Sequence, residues 1–420
     1  MRSPRRSCVP QGLGGRICKK STLLLALFWF GTWVFFNGLA IMHSSVFSDL
    51  CTDEKSKRIL QGVCDEFGRG VLVGDLCEDL CVSRTLEYTH CLYYHNGKRV
   101  LQASWRGLTI VLKSKLENFS SYESPEPLED QGGPSLSPAD MLLYTTMEIR
   151  SLLGLEVGIS LGERPRPYSR AELASLWSLL QQEEYVLFRV LQDVSHHVLK
   201  ILGSCGHFYA VEHLIAGCAL TQNLFSLEEL TGPPGKGAEI SSRCSAGPGR
   251  EVVLQIALSF LHMVRHFESD FAHPLHLCDI KPENFGIRKD LTVVAIDVDM
   301  AFFEPKMQNI LEQKCSSDTD CSFFDCSSKC DIKEKKCFSK RTNSNLQVIC
   351  DKIFRNWFSP KLLGGRMWCP LEVELAHTVQ ECARATGDKD DRQTVWDRLH
   401  SLLSQLLQDI PPQREGQRES

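Results

Sequence analysis

The sequence predicts an α+β domain of two lobes standing behind an N-terminal transmembrane helix. Three observations carry this reading. Residues 21–42 run STLLLALFWFGTWVFFNGLAIM, without a charge and long enough to span a bilayer as a helix. An Asn-Gly turn lies among β-favouring residues at 93–100, and a further apolar run at 108–113 follows the turn Arg106-Gly107, which predicts antiparallel strands. Amphipathic helical stripes then dominate, at 171–191, 251–266, 371–385 and 392–407.

The anchor fixes the orientation. Arg2, Arg5, Arg6, Arg16, Lys19 and Lys20 precede it with no acid among them, so the N-terminus is expected in the cytosol and residues after 45 in the lumen. A cleaved signal peptide is the alternative, but its apolar region spans ~7–15 residues, and Asn37-Gly38-Leu39-Ala40-Ile41 is a poor cleavage site. Arg5-Arg6 point to retention in the endoplasmic reticulum membrane as a single-pass type II protein. The net charge of −5 on 420 residues gives no reason to expect a nucleic-acid partner. The chain divides into a basic leader 1–20, the anchor 21–42, a cysteine-rich stem 43–88, an N-lobe 89–212, a C-lobe 213–410 and a polar tail 411–420.

Cysteine usage agrees with a lumen. Of 19 cysteines, Cys8 and Cys18 precede the anchor and 17 follow it, a density that suits an oxidising compartment. Cys315, Cys321, Cys326, Cys330, Cys337 and Cys350 form the densest block. Zinc is the rival to disulfides there, yet the block has no C-x-x-C pair and no nearby histidine. These six are expected in disulfides that stabilise a segment over the active-site mouth. An odd luminal total leaves a thiol over, and Cys278 is the candidate. Asn118-Phe119-Ser120 is a glycosylation sequon, set before a Pro/Ser/Gly/acid loop within the insert 118–140.

The chemistry-bearing stretch is His276-Leu277-Cys278-Asp279-Ile280-Lys281-Pro282-Glu283-Asn284, followed by Ala295-Ile296-Asp297-Val298-Asp299. It resembles the protein-kinase catalytic loop and metal-binding turn, where an Asp receives the acceptor proton and an Asn five residues on holds a metal. Asp279 and Asn284 keep that spacing, and Asp297 stands where the second metal-binding carboxylate belongs. Lys113 closes a strand similar to the one whose lysine meets nucleotide phosphates, with Lys115 as competitor. Glu184 is the expected helix partner of that lysine, with Glu183 as runner-up. Backbone groups from Glu212 to Leu214 are expected to meet an adenine ring. His196 and His197 read as ordinary loop histidines rather than ligands. No G-x-G-x-x-G precedes Lys113, and the His95-Asn96-Gly97 turn is the candidate substitute.

Basic leader, anchor, luminal cysteines, Leu-Cys-Asp-Ile-Lys-Pro-Glu-Asn and Asp-Val-Asp together resemble the divergent protein kinase domain 1 family, also called the family with sequence similarity 69. The resemblance implies a kinase-like protein of the endoplasmic reticulum. Its cofactors would be ATP with Mg²⁺ or Mn²⁺, and its partner a luminal protein or glycan. Lys113, Glu184 and Asp279 would be catalytic, and Asn284 and Asp297 would hold the metal. A binding or scaffold module that keeps the fold without turnover is the second reading. Related members carry an EF-hand-like insert. Here Leu161, Pro165 and Arg166 lack the oxygens a calcium loop needs, although Glu163 and Glu172 fit, so calcium is not expected.

Topology is directly testable. Protease added to intact microsomes is expected to spare residues 45–420 until detergent is supplied; digestion of the domain without detergent overturns the orientation.

Overall fold

In a computed structural model, Phe30 and residues 51–95, 97–123, 138–155, 168–217, 248–358, 370–384 and 389–410 are described. Among these no helix is long and apolar enough to cross a membrane. The expected anchor lies outside the described residues apart from Phe30, as do most of the insert 118–140, positions 161–167 and the tail.

Strand pairing starts where the hairpin signals fall. β1 (Leu86–His95) and β2 (Lys98–Trp105) pair antiparallel around the Asn-Gly turn, with His95 opposite Lys98. β3 (Leu108–Ser114) follows a tight turn in which Arg106 and Gly107 both adopt positive φ, 51° and 81°, as a type I′ turn requires. β4 (Ile201–Cys205) and β5 (Phe208–Glu212) complete a five-stranded sheet in the order β1-β2-β3-β5-β4.

The expected stem 43–88 is part of this lobe. Thr52 caps α1 (Asp53–Gly68), accepting from Lys55 N. Ile59, Leu60 and Val63 on α1, with Leu72 and Leu76, share one core with Leu101, Ile110 and Phe208 of the sheet. α2 (Cys77–Cys81) bonds to α1 through Cys64–Cys81 and to β4 through Cys77–Cys205. Cys51–Cys91 adds a tie to β1. Apolar burial and cross-links leave no free-standing stem.

The single helical stripe expected at 171–191 is two helices. α3 (Pro138–Leu153) precedes them; α4 (Arg170–Leu180) and α5 (Glu183–Leu191) are separated by Gln181 and Gln182. The side chain of Gln182 accepts from Lys115 N at 2.9 Å and donates to His207 O at 2.8 Å, while Gln181 accepts from Glu123 N at 2.9 Å. Those bonds dock the break on the exit of β3 and the β4–β5 turn, which the apolar spacing alone does not reveal. At the start of α4, Ser169 and Glu172 form a reciprocal capping box. Glu172, the last position of the EF-hand-like segment, is thus engaged in capping.

The second lobe is built on α6 (Pro248–Ser269), whose Phe260 is fully buried against the rings of Phe285 and Phe354 at 5.0 and 6.0 Å. β6 (Ile215–Ala216), β8 (Phe285–Ile287) and β9 (Val293–Ala295) form a three-stranded sheet; β7 (Leu275–Leu277) pairs with β10 (Ala301–Phe303). α7 (Glu304–Leu311), α8 (Asn345–Ile349), α9 (Pro370–Arg384) and α10 (Lys389–Gln408) complete the lobe. Trp396 on α10 donates to Leu261 O on α6 at 3.0 Å. His197 behaves as a structural histidine: its Nδ1 bonds Val293 O at 2.7 Å, and the His196 carbonyl accepts from Arg288.

All six cysteines of the block are disulfide-bonded, but only partly to one another. Cys315–Cys330 and Cys321–Cys337 lie within it, Cys326 joins Cys278, and Cys350 joins Cys382. Cys278 is therefore not the spare thiol. Every cysteine among the described residues is paired, and Cys218, Cys244 and Cys369 lie outside them. The block sits against the loop carrying Asp279, with Cys278 and Cys326 both fully buried.

Close approach at the junction depends on Gly286. A Cβ there would lie 2.8 Å from Leu214 Cβ and 2.9 Å from Ile296 Cγ2. Gly286→Ala is expected to destabilise by about 1–3 kcal/mol through overpacking, read as a lower urea midpoint with unchanged slope. An unchanged midpoint counts against this tight contact.

Candidate functional site

Strand register sets the first half of the site. Lys113 on β3 lies opposite Val100 on one side and Tyr209 on the other. Its ammonium, almost fully buried, donates to Glu184 Oε1 at 2.7 Å and to Ile296 O at 2.6 Å. Tyr209 donates to the other Glu184 oxygen at 2.6 Å. Both carboxylate oxygens of Glu184 are thus held, which fixes α5 against the sheet. Burial first, then the charge of Glu184, keep the Tyr209 hydroxyl protonated well above the usual range. The competitors pair elsewhere: Lys115 meets Glu183 at 2.6 Å, with both side chains 47% exposed.

The catalytic-loop residues come from the turn between β7 and β8. Asp279 accepts from Lys281 Nζ at 2.7 Å and from Asn284 Nδ2 at 3.0 Å. The same Asn284 nitrogen reaches Asp279 O at 2.8 Å, so Oδ1 is the Asn284 atom left to offer a cation. Asn284 O accepts from Ile296 N at 2.9 Å, which ties the loop to the segment carrying Asp297. Asp279, Lys281, Asn284, Asp297 and Asp299 line one cleft of about 160 Å³ with Lys98. A larger cavity, about 420 Å³, lies between α1 and residues 117–119. Asn118, exposed as a sequon should be, lines it, but none of the motif residues does.

Electrostatics make the cleft unusual. Carboxylate oxygens of Glu184, Asp297 and Asp299 lie within 4.8 Å of one another. Lys98 answers them, its Nζ 2.6 Å from Asp299, 3.1 Å from Asp297 and 3.7 Å from Glu184. Burial pushes the Asp297 carboxyl up, but Lys98 and Lys113 outweigh it and hold it below the usual range. Burial and the Glu184 charge push Asp299 up to about 6, against the pull of Lys98. Burial disfavours the Lys98 ammonium, yet its three carboxylates hold its pKa well above the usual lysine value. Hard oxygens at this spacing, with Asn284 Oδ1, fit Mg²⁺ or Mn²⁺.

The rest of the catalytic loop is held by partners that sequence reasoning missed. Cys278 is bonded to Cys326. The neighbouring Asp325 accepts from Ile280 N at 2.7 Å, donates its own N–H to Cys278 O at 2.8 Å and pairs with Lys352 at 2.6 Å. Asn345 accepts from Leu277 N at 2.9 Å. At the proposed hinge, the Glu212 side chain is taken by Arg288, and Leu214 presses on the Gly286 contact, so adenine contacts there would fall to the backbone. Lys98 and Tyr209 were legible only once register was known: Tyr209 lies opposite Lys113, and Lys98 stands two residues before Val100, the other neighbour of Lys113.

A strand lysine paired with a helix glutamate, opposite an Asp/Asn loop and a metal-turn aspartate, defines a protein-kinase-like domain. Residues 176–385 match the family described as “Protein-kinase domain of FAM69”, and residues 16–136 match “N-term cysteine-rich ER, FAM69”. The chain belongs to the FAM69 family. Its disulfides suit the oxidising lumen of the endoplasmic reticulum, the compartment that the second description names as ER.

Asp325 is expected to hold the catalytic loop. Asp325→Ala leaves the buried Ile280 amide without its acceptor, at a cost of about 1–3 kcal/mol, and hydrogen exchange should speed at Ile280. Unchanged protection there removes the assignment.

Proposed function

We propose that the chain is a luminal kinase-like enzyme of the secretory pathway that transfers the γ-phosphoryl group of ATP to a protein or glycan hydroxyl. The observation that carries this reading is the buried Lys113–Glu184 pair at 2.7 Å, tied through Ile296 O to the segment whose Asp297 lines one cleft with Asp279 and Asn284. An N-terminal anchor at 21–42, with the domain on the luminal side, completes the proposal.

Each residue has a role in this reading. Lys113, oriented by Glu184 and Tyr209, meets the nucleotide phosphates. Asp279 receives the proton of the acceptor hydroxyl as its oxygen bonds to the γ-phosphorus; the bond to the β-phosphate oxygen breaks and ADP leaves. Lys281, already bonded to Asp279, keeps that carboxylate in place beside the transferring group. Mg²⁺ or Mn²⁺, held by Asn284 and Asp297, would neutralise phosphate charge. Asp299 adds a carboxylate where kinases carry glycine.

One observation favours the second reading, a binding or scaffold module. The hairpin over the cleft closes in a two-residue turn between His95 and Lys98, so no glycine-rich loop covers the phosphates.

Phosphate transfer from γ-labelled ATP distinguishes the two. Asp279→Asn is expected to abolish transfer while nucleotide affinity stays the same, and Asp297→Asn to weaken Mn²⁺-dependent nucleotide binding. A scaffold gives no transfer in wild type and identical cellular readouts for wild type and Asp279→Asn.

A further inference from the structure

We propose that Lys98 is a phosphate-contacting residue of the cleft, a side chain that stands in for the glycine-rich loop this chain lacks. The assignment rests on the nucleotide reading above and deepens it.

Register places Lys98 on the correct face. Side chains alternate along a strand. Val100 lies opposite Lys113 in the β2–β3 pairing, so Lys98, two residues earlier, emerges on the face that carries Lys113. Arg99 takes the other face, paired with Glu117 and stacked on Tyr94. Lys98 and Lys113, on adjacent strands, therefore share a face; Lys98 lines the cleft, and the intervening Arg99 is directed away from it.

The hairpin tip explains why a side chain would be needed. His95 pairs with Lys98, so the turn is too short to wrap a polyphosphate with successive backbone amides, the usual work of a glycine-rich loop. Charge must then come from a side chain at the turn, and Lys98 is the first residue after it.

The contacts of Lys98 point the same way. Its side chain is 17% exposed, and its Nζ meets Asp297 and Asp299 from the opposite lobe as well as Glu184. Asp297 is also an expected metal ligand, so lysine and divalent cation compete for the same oxygens. An ammonium on a flexible stem can turn to a new anion, and a metal-bound polyphosphate brings that anion to the place where the carboxylates are lost.

Equilibrium binding to the full-length protein in detergent tests this, with Mn²⁺·ATP and adenosine as probes. Lys98→Met is expected to weaken Mn²⁺·ATP by about tenfold to a hundredfold, the worth of one hydrogen bond to a charged group. Adenosine affinity should not change, which also shows that the cleft remains folded. Lys98→Arg, which keeps the charge, should recover most of the loss. If Lys98→Met binds Mn²⁺·ATP as well as wild type or better, Lys98 is only a counter-ion for the acids and the proposal is overturned. Equal loss of adenosine and Mn²⁺·ATP assigns Lys98 to the architecture of the cleft and overturns it too. If wild type binds neither probe, the nucleotide reading falls and takes this assignment with it.

Discussion

Two ammonium groups meet three carboxylates at the junction of the lobes, and much of the surrounding architecture exists to keep them satisfied. Removing charges from water costs several kcal/mol per ion, recovered only when geometry and hydrogen bonds are good. Glu184 meets that demand with Lys113 on one oxygen and Tyr209 on the other. The Lys113 ammonium also spans to Ile296 O in the second lobe. Because those partners come from β3, β5, α5 and the segment before Asp297, the group locks four pieces of chain together. The break between α4 and α5 serves the same end, since it sets the direction in which α5 delivers Glu184.

The catalytic loop illustrates a different solution to the same problem of rigidity. Leu277 and Cys278 stand where the kinase signature has residues that brace the loop by polar contacts. Here a covalent bond to Cys326 and the carboxylate of Asp325 take over, with Asn345 beneath. In an oxidising lumen such a bond persists, and closing a loop of this size contributes about 2–4 kcal/mol by restricting the unfolded chain. The same logic applies to the N-terminal segment. Cys77–Cys205 spans 128 residues of sequence and fixes the expected stem to the sheet it helps to bury.

How far the sequence discloses this depends on the range of the interactions. Local signals were legible: the Asn-Gly and Arg106-Gly107 turns, the start of β3 and the stripe of α6 all follow from turn chemistry and periodicity. The site motifs were legible because kinase chemistry fixes their spacing, and Lys113 over Lys115 and Glu184 over Glu183 match the buried pair. Contacts between distant segments were not. Cys278 looked unpaired because nothing nearby in the chain bonds to it, and its partner is 48 residues away. Tyr209 and Lys98 reach the face of Lys113 only through strand register. The helix break escaped notice because Gln181 and Gln182 are held by tertiary hydrogen bonds, while the apolar spacing runs through them.

The charge balance also bears on whether the cleft is a working site or a relic. The missing glycine-rich loop favours a scaffold, whereas the close approach of three carboxylates favours a site that takes a cation. With Lys113 and Lys98 both engaged, the three carboxylates still exceed the ammoniums by one charge, and the strain appears at Asp299, pushed up to about 6 chiefly by burial and then by Glu184. Such a cluster destabilises a fold that keeps it empty, because like charges at this spacing repel strongly away from bulk water. Carboxyls pushed from their usual range by burial and like charge cluster at functional sites. On the proposed reading a divalent cation would supply the missing positive charge, and a polyphosphate would give the displaced lysine a partner. On that reading the arrangement belongs to a metal-nucleotide site, and the short hairpin turn would mean that phosphates are held by side chains.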